Sequence, residues 1–261
     1  LPPVILDFNP YHARLNVTAG TIGLRDGYRT RVDAYWRKVS AGGRFFNGPV
    51  LAATGMRIVD GILAIDVLLT DYAHYLYARQ DPDKAFDCQA VYTAAVVVTA
   101  DDHLLLGEMA RHTSAPGQIQ CPGGNLEMAP DGRIDPAVCC LREVEEELGP
   151  ALASEVRWQR PLCVKRGGEN GTIGLMYLLR LECDASRALA MFEAYRAHQA
   201  GLGARPELDR LAAVELNMRD VGRFLREPEN PHVDYLVPLL SQFERIAAEL
   251  EKSPIHVPGG L

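Results

Sequence analysis

The chain lacks the features that would place it in several large classes. No apolar run approaches the roughly 18 residues of a membrane-crossing helix, and no charged-then-apolar stretch opens it at Leu1, so a soluble globular protein without membrane partners is expected. The start at Leu1, in place of Met, leaves a leader upstream open. Positive charge is in deficit, with 27 Lys and Arg against 34 Asp and Glu, a formal charge of −7 and a pI near 5.5. That balance argues against a grip on nucleic acid polymers. The six cysteines, at 88, 121, 139, 140, 163 and 183, contain no Cys-x-x-Cys spacing and read as reduced thiols in a cytoplasm. Adjacent Cys139 and Cys140 suggest packing, not a metal pair. The seven histidines form no His-x-x-x-His pair, and neither a Gly-x-Ser-x-Gly elbow nor a Gly-x-x-x-x-Gly-Lys-Ser/Thr loop occurs.

What is present centres on residues 123–149. Asp135-Pro136 is a helix start, a capping side chain followed by proline at the first helical position, and Gly149-Pro150 is a stop. The helix expected over 136–148 carries an apolar stripe of Ala137, Leu141, Val144 and Leu148. Glu143, Glu146 and Glu147 stand at i, i+3 and i+4 and project together, away from most of that stripe. Like charges so close are either left in water or settled by a cation, and hard oxygen ligands suit Mg²⁺ or Mn²⁺. Arg142, four residues before Glu146, is placed to pair with it. Pro122-Gly123-Gly124 lets backbone approach a ligand closely.

This segment resembles the signature of the Nudix hydrolases, which cleave a nucleoside diphosphate linked to another group. The second half of that signature is in register at Arg142, Glu143, Val144, Glu146, Glu147 and Gly149. The first half departs: 17 residues separate Gly124 from Arg142 (142 − 124 − 1), four more than the signature has, and Ile134 stands where its first glutamate belongs. Glu127 and Asp131 are the two candidates for that missing carboxylate. The resemblance covers roughly residues 90–250 and implies an α/β fold, a mixed sheet sandwiched between helices.

A mostly β front domain is expected over residues 1–88, ahead of the hydrolase domain at 89–261. In it, 4–8, 50–59 and 61–69 read as strands, Asp60-Gly61 as a hairpin turn, 31–39 as a helix and 80–87 as a linker. The aromatics Trp36, Phe45, Phe46, Tyr72, Tyr75 and Tyr77 suggest core packing over a base-stacking platform. Phe45-Phe46-Asn47-Gly48-Pro49 and Leu69-Thr70-Asp71-Tyr72, behind a tryptophan helix, resemble the Nudix group that hydrolyses UDP-glucose and UDP-galactose. Leu105-Leu106-Gly107-Glu108-Met109 lacks the arginine of the coenzyme A group. Further on, strands are expected at 93–99, 104–109, 118–121, 156–165, 172–183 and 210–216, and helices at 185–200, 219–226 and 233–252. The turn at 166–171 is either a plain connection or a substrate loop acting through Arg166, Glu169 and Asn170.

The resemblance then implies metal-dependent hydrolysis of a nucleotide sugar's diphosphate bond, giving a nucleoside monophosphate and a sugar 1-phosphate. Glu143, Glu146 and Glu147 are the implied metal ligands, with Glu146 or Glu147 as proton acceptor and Glu215 as a second candidate base. Arg142 orients a carboxylate, and Gly123, Gly124 and Glu127 shape the phosphate wall. Two rivals are kept: a Nudix hydrolase acting on ADP-ribose, a dinucleotide or a nucleoside triphosphate, and a catalytically weak nucleotide-binding module. The front domain also offers a surface for a homodimer.

Overall fold

Residues 91–98 are too continuously apolar for a strand with one wet face, and the structure, a computed structural model describing residues 3–41, 45–168, 171–227 and 231–252, buries them on both sides. In chain order the front section holds β1 (Val4–Asp7), β2 (His12–Thr21), α1 (Asp26–Val39), β3 (Pro49–Val59), β4 (Ile62–Asp71) and α2 (Tyr72–Gln80). The remainder runs β5 (Val91–Val98), β6 (His103–Met109), β7 (Ile119–Gln120), β8 (Gly123–Asn125), α3 (Pro136–Leu148), α4 (Pro150–Ala153), β9 (Val156–Gly167) and β10 (Ile173–Leu181). It closes with α5 (Ala185–Gly201), β11 (Leu208–Glu215), α6 (Met218–Arg226), α7 (Leu236–Leu240) and α8 (Phe243–Glu251).

The main sheet has the order β1-β9-β10-β5-β6-β11, with β7 on β6 and β8 on β5. It is mixed, since β5 and β10 run parallel and the other pairs antiparallel. Alternate residues of β5 feed two cores. Val91, Ala95 and Val97 meet α3, α4 and α5, whereas Ala94, Val96 and Val98 meet α6, α7 and α8. This is the expected mixed sheet between helices, preceded by a small β-rich front section.

That front section differs in detail from the expectation over 1–88. Its first strand leaves it and pairs antiparallel with β9 in the main sheet. The three-stranded sheet β2-β4-β3 remains, and its Leu51, Leu63, Ile65 and Val67 share a core with α3, β9 and β10. The turn at Asp60-Gly61 has both residues at positive φ, 51° and 76°, as a tight hairpin requires. The linker expected over 80–87 is a turn pinned by buried Asp81, whose carboxylate accepts from the N–H of Asp83 and Ala85. The closing helix expected over 233–252 is instead two, α7 and α8, because the chain leaves helical geometry at Gln242. Among the described residues no helix is long and apolar enough to cross a membrane, and all six cysteines are buried and unpaired.

Candidate active site

Helix α3 begins and ends where its punctuation says. The Asp135 carboxylate accepts from the N–H of Ala137 at 2.9 Å and of Val138 at 3.3 Å, with Pro136 in the first turn. The buried face keeps Val144, Leu148 and partly Ala137 of the expected stripe but not Leu141. Leu141 is exposed, and Pro136, Cys139, Cys140, Val144, Glu147 and Leu148 pack inward. Small cysteines allow α3 to lie close on β5, whose buried Thr93 hydroxyl donates to the Leu175 carbonyl at 3.2 Å. The consequence is chemical: Glu147, at 7 % exposure, sits on the core face of the helix.

Two glycines make that position tolerable. β8 runs antiparallel to β5, with Gly123 opposite Ala94 and Gly124 opposite Thr93. The Gly123 N–H donates to Glu147 Oε2 at 3.0 Å. A Cβ on Gly123 would stand 2.3 Å from the Thr93 carbonyl oxygen, and one on Gly124 would stand 2.5 Å from Glu143 Oε2. The strand thus approaches both carboxylates at backbone distance because it has no side chains there.

The three motif glutamates do not share one environment. Glu143 is mostly covered, with 13 % of its side chain exposed, whereas Glu146 has 58 % exposed. Arg142 does not chiefly hold Glu146, which stands 3.9 Å away. It forms a close ion pair with Glu127 and bonds Glu143 Oε1 at 3.0 Å. Of the two candidates for the displaced first carboxylate, Glu127 therefore joins the site, while Asp131 is taken up by Arg133.

The structure adds a further carboxylate, Glu207, in the loop ahead of β11, whose charge acts on both Glu143 and Glu147. Sequence reading pointed to Glu215, at the other end of the same strand. Glu215 pairs with His103, beside the Val98 end of β5, while Gly123 and Gly124 sit at Ala94 and Thr93. At roughly 3.3 Å per residue that is about 13 Å along the sheet, so Glu215 is not brought to the cluster. The carbonyl of Glu207 accepts from Ala110 N–H at 2.8 Å, which ties its loop to the end of β6. No spacing motif marks Glu207; its only signal is its place just before the returning strand. Arg166 lies on β9, exposed and opposite Ile5, with β10 between its strand and β5. Glu169 and Asn170 lie outside the described residues.

The two short front-section motifs do meet. Asn47 Oδ1 accepts from Ala73 N–H and the Gly48 carbonyl from Tyr72 N–H, while the Asp71 carboxylate caps α2 by accepting from His74 N–H. Their joint product is a fixed Tyr72, packed against Trp36, Phe45 and Tyr75. Trp36, Phe45, Tyr72, Tyr75 and Tyr77 have the ring contacts expected of packing, whereas Phe46 stands 85 % exposed and departs from that expectation.

Burial, only partly offset by the Arg142 charge, pushes the Glu143 carboxyl up to about 7, with Glu146 and Glu207 adding to the rise. Burial and then Glu207 and Glu143 push Glu147 well above the usual carboxylate range. A raised carboxyl favours the folded state while protonated, so that stability is complete below the ordinary value of 4.5 and is lost as pH climbs, for Glu143 between 4.5 and about 7. Metal-free protein is expected to melt higher at about pH 5.5 than at about pH 8, and Glu143→Gln should flatten that slope. Added Mg²⁺ should recover stability at the higher pH. Melting curves with and without the cation check this; a wild-type slope unchanged in the variant sinks it.

The donor set suits a hard divalent cation in kind, being all carboxylate oxygen with charges that repel one another. Among the described residues, however, no three His, Cys, Asp or Glu side chains converge closely enough to hold an ion as they stand. Glu146 is exposed and lies on the solvent side of the helix.

A glycine-lined strand ahead of a carboxylate helix, on a mixed sheet between helices, defines the class of domain. Residues 90–180 match the family model of the NUDIX domain. The fold is similar to the Nudix domain of Shewanella oneidensis NrtR complexed with ADP-ribose, at 18 % identity over 67 % of this chain and 97 % of that one, with a TM-score of 0.41. It is also similar to a Deinococcus radiodurans protein, at 13 % identity over 75 % of this chain and 98 % of that one, with a TM-score of 0.46. A bifunctional NMN adenylyltransferase/ADP-ribose pyrophosphatase from Francisella tularensis, complexed with AMP and a Mn ion, matches at 16 % identity over 66 % of this chain, with a TM-score of 0.41. The match spans only 46 % of that enzyme. No curated protein matches the chain in sequence.

Proposed function

We propose that the chain is a metal-dependent diphosphatase acting on a nucleotide sugar of the UDP-glucose kind. The observation that carries this is the placing of buried Glu147 and mostly covered Glu143 beside the bare backbone of Gly123 and Gly124. Glu143, Glu146 and Glu147 are the residues to hold Mg²⁺ or Mn²⁺, which when bound supplies neutralisation of the diphosphate and a more acidic attacking water. Water adds to one phosphorus, the bridging P–O bond breaks, and the products are a nucleoside monophosphate and a sugar 1-phosphate. A carboxylate must take the water's proton, and exposed Glu207, whose charge acts on Glu143 and Glu147, is the candidate for it. The Gly123 N–H fixes the Glu147 carboxylate, and Arg142 positions Glu127 and Glu143. The sugar assignment is supported by the two front-section motifs that meet around Tyr72.

A second reading, a nucleotide-binding module without turnover, draws on the separation of the glutamates as they stand. Release of UMP from UDP-glucose with Mg²⁺, run beside ADP-ribose and a metal-free control, separates the readings. UMP release only with metal is expected. Hydrolysis of ADP-ribose above UDP-glucose would discard the sugar and keep the chemistry, whereas tight binding without any turnover would favour the module. Unchanged hydrolysis in Glu146→Gln would remove that residue from the ligand set.

A further inference from the structure

A cavity of about 670 Å³ opens between α1, α2 and the segment after β6, in the range of about 300–1,000 Å³ usual for small-molecule sites. Its walls include Tyr35, Lys38, Phe45, Arg79, Thr113 and Ser114. In a chain of net charge −7, this lining holds two cations and no carboxylate. It is the electrostatic opposite of the glutamate cluster. The rings on its walls are braced from behind, with Tyr35 5.8 Å from Tyr77 and Phe45 6.2 Å from Tyr72, and the Arg79 guanidinium lies 5.7 Å from the Tyr75 ring centre.

The segment that lines the cavity is tied to the loop of Glu207: the Thr113 hydroxyl donates to the Ala110 carbonyl at 2.8 Å, and the Ala110 N–H donates to the Glu207 carbonyl at 2.8 Å. We propose that the cavity is the nucleoside monophosphate subsite, taking a planar base against Tyr35 and Phe45 and phosphate oxygens against Lys38 and Arg79. Flat rings suit a base, whose π-face stacks whatever its identity. Guanidinium and ammonium groups suit phosphate oxygens. A hexose is neutral and not flat, and calls for neither. The front section then serves to hold the half of the substrate that leaves as the monophosphate, an inference that rests on the diphosphatase reading.

Calorimetric titration of UMP into the full chain in EDTA tests it apart from turnover. The double variant Lys38→Ala/Arg79→Ala should weaken UMP at least about tenfold, and Tyr35→Leu several-fold, while Glu215→Gln, at the far end of β11, leaves binding within about twofold. Lys38 is exposed on α1, so Lys38→Glu gives a second variant that spares the core and should also weaken binding. Unchanged affinity in the cavity variants overturns the proposal. Inorganic phosphate binding as tightly as UMP overturns it too, because the rings would then contribute nothing. If the diphosphatase reading fails instead, UDP-glucose releases no UMP with Mg²⁺, and the binding result remains readable.

Discussion

Glu147→Gln should lower metal-dependent hydrolysis by about 10²–10³ while leaving the fold intact or more stable. The substitution keeps an oxygen that can accept the 3.0 Å bond from Gly123 N–H, so the strand and helix stay joined. What it removes is a charge that the fold holds at a cost, since burial and the charges of Glu207 and Glu143 all oppose ionisation of this carboxyl. A protein keeps such a charge where a cation is to settle it. Metal-free Glu147→Gln is therefore expected to melt higher than wild type at about pH 8, by on the order of 1 kcal/mol, and to gain less from added Mg²⁺. Glu215→Gln, at the far end of β11, is the matched control and should change neither quantity. Steady-state turnover with a melting curve at each metal concentration distinguishes the outcomes. A variant that turns over normally would show that Glu147 is only a buried structural acid.

Much of this site was legible because its signals are local. Asp135 and Pro136 could be read as a helix start, Gly149 and Pro150 as its stop, and α3 runs between them as expected. Which face it buries was less legible. Leu141 is the stronger hydrophobe, yet close packing on β5 selects the small Cys139 and Cys140, and brings Glu147 inward with Val144 and Leu148. Arg142 spans to Glu127 across the longer loop, a contact that spacing on a helix cannot anticipate. Glu207 was hidden for another reason. It comes near Glu143 and Glu147 only because β11 returns beside β6, which is a fact of topology. The same holds for β2, whose parallel pairing with β4 gives its half-polar sequence a reason to be a strand. α2 was missed where Asp71 ends β4 and caps the helix in a single step.

The glycines ahead of α3 should separate fold from chemistry when each is given one methyl group. Gly123→Ala places its Cβ 2.3 Å from the Thr93 carbonyl oxygen and 2.7 Å from the Ala94 Cα, both backbone atoms of the central strand. Backbone in a paired, buried strand cannot step aside, so β8 must lift off β5. A loss of about 3 kcal/mol is expected, or roughly 6–12 °C in Tm for a chain of this size, and the Gly123 N–H to Glu147 bond goes with it. Gly124→Ala meets instead the Glu143 carboxylate at 2.5 Å, the end of a side chain that can rotate. Its cost should fall on the site: Tm within about 2 °C of wild type, but turnover down by about tenfold to a hundredfold, since displacement of a reacting geometry by about 1 Å is worth that much. Thermal melts and kinetics on the two variants form one experiment with opposite expected columns. Equal loss of stability in both would mean that Glu143 is locked as rigidly as the strand. An unaffected turnover in Gly124→Ala would place the reacting phosphate away from Glu143, and with it the whole reading of β8 as the wall of the active site.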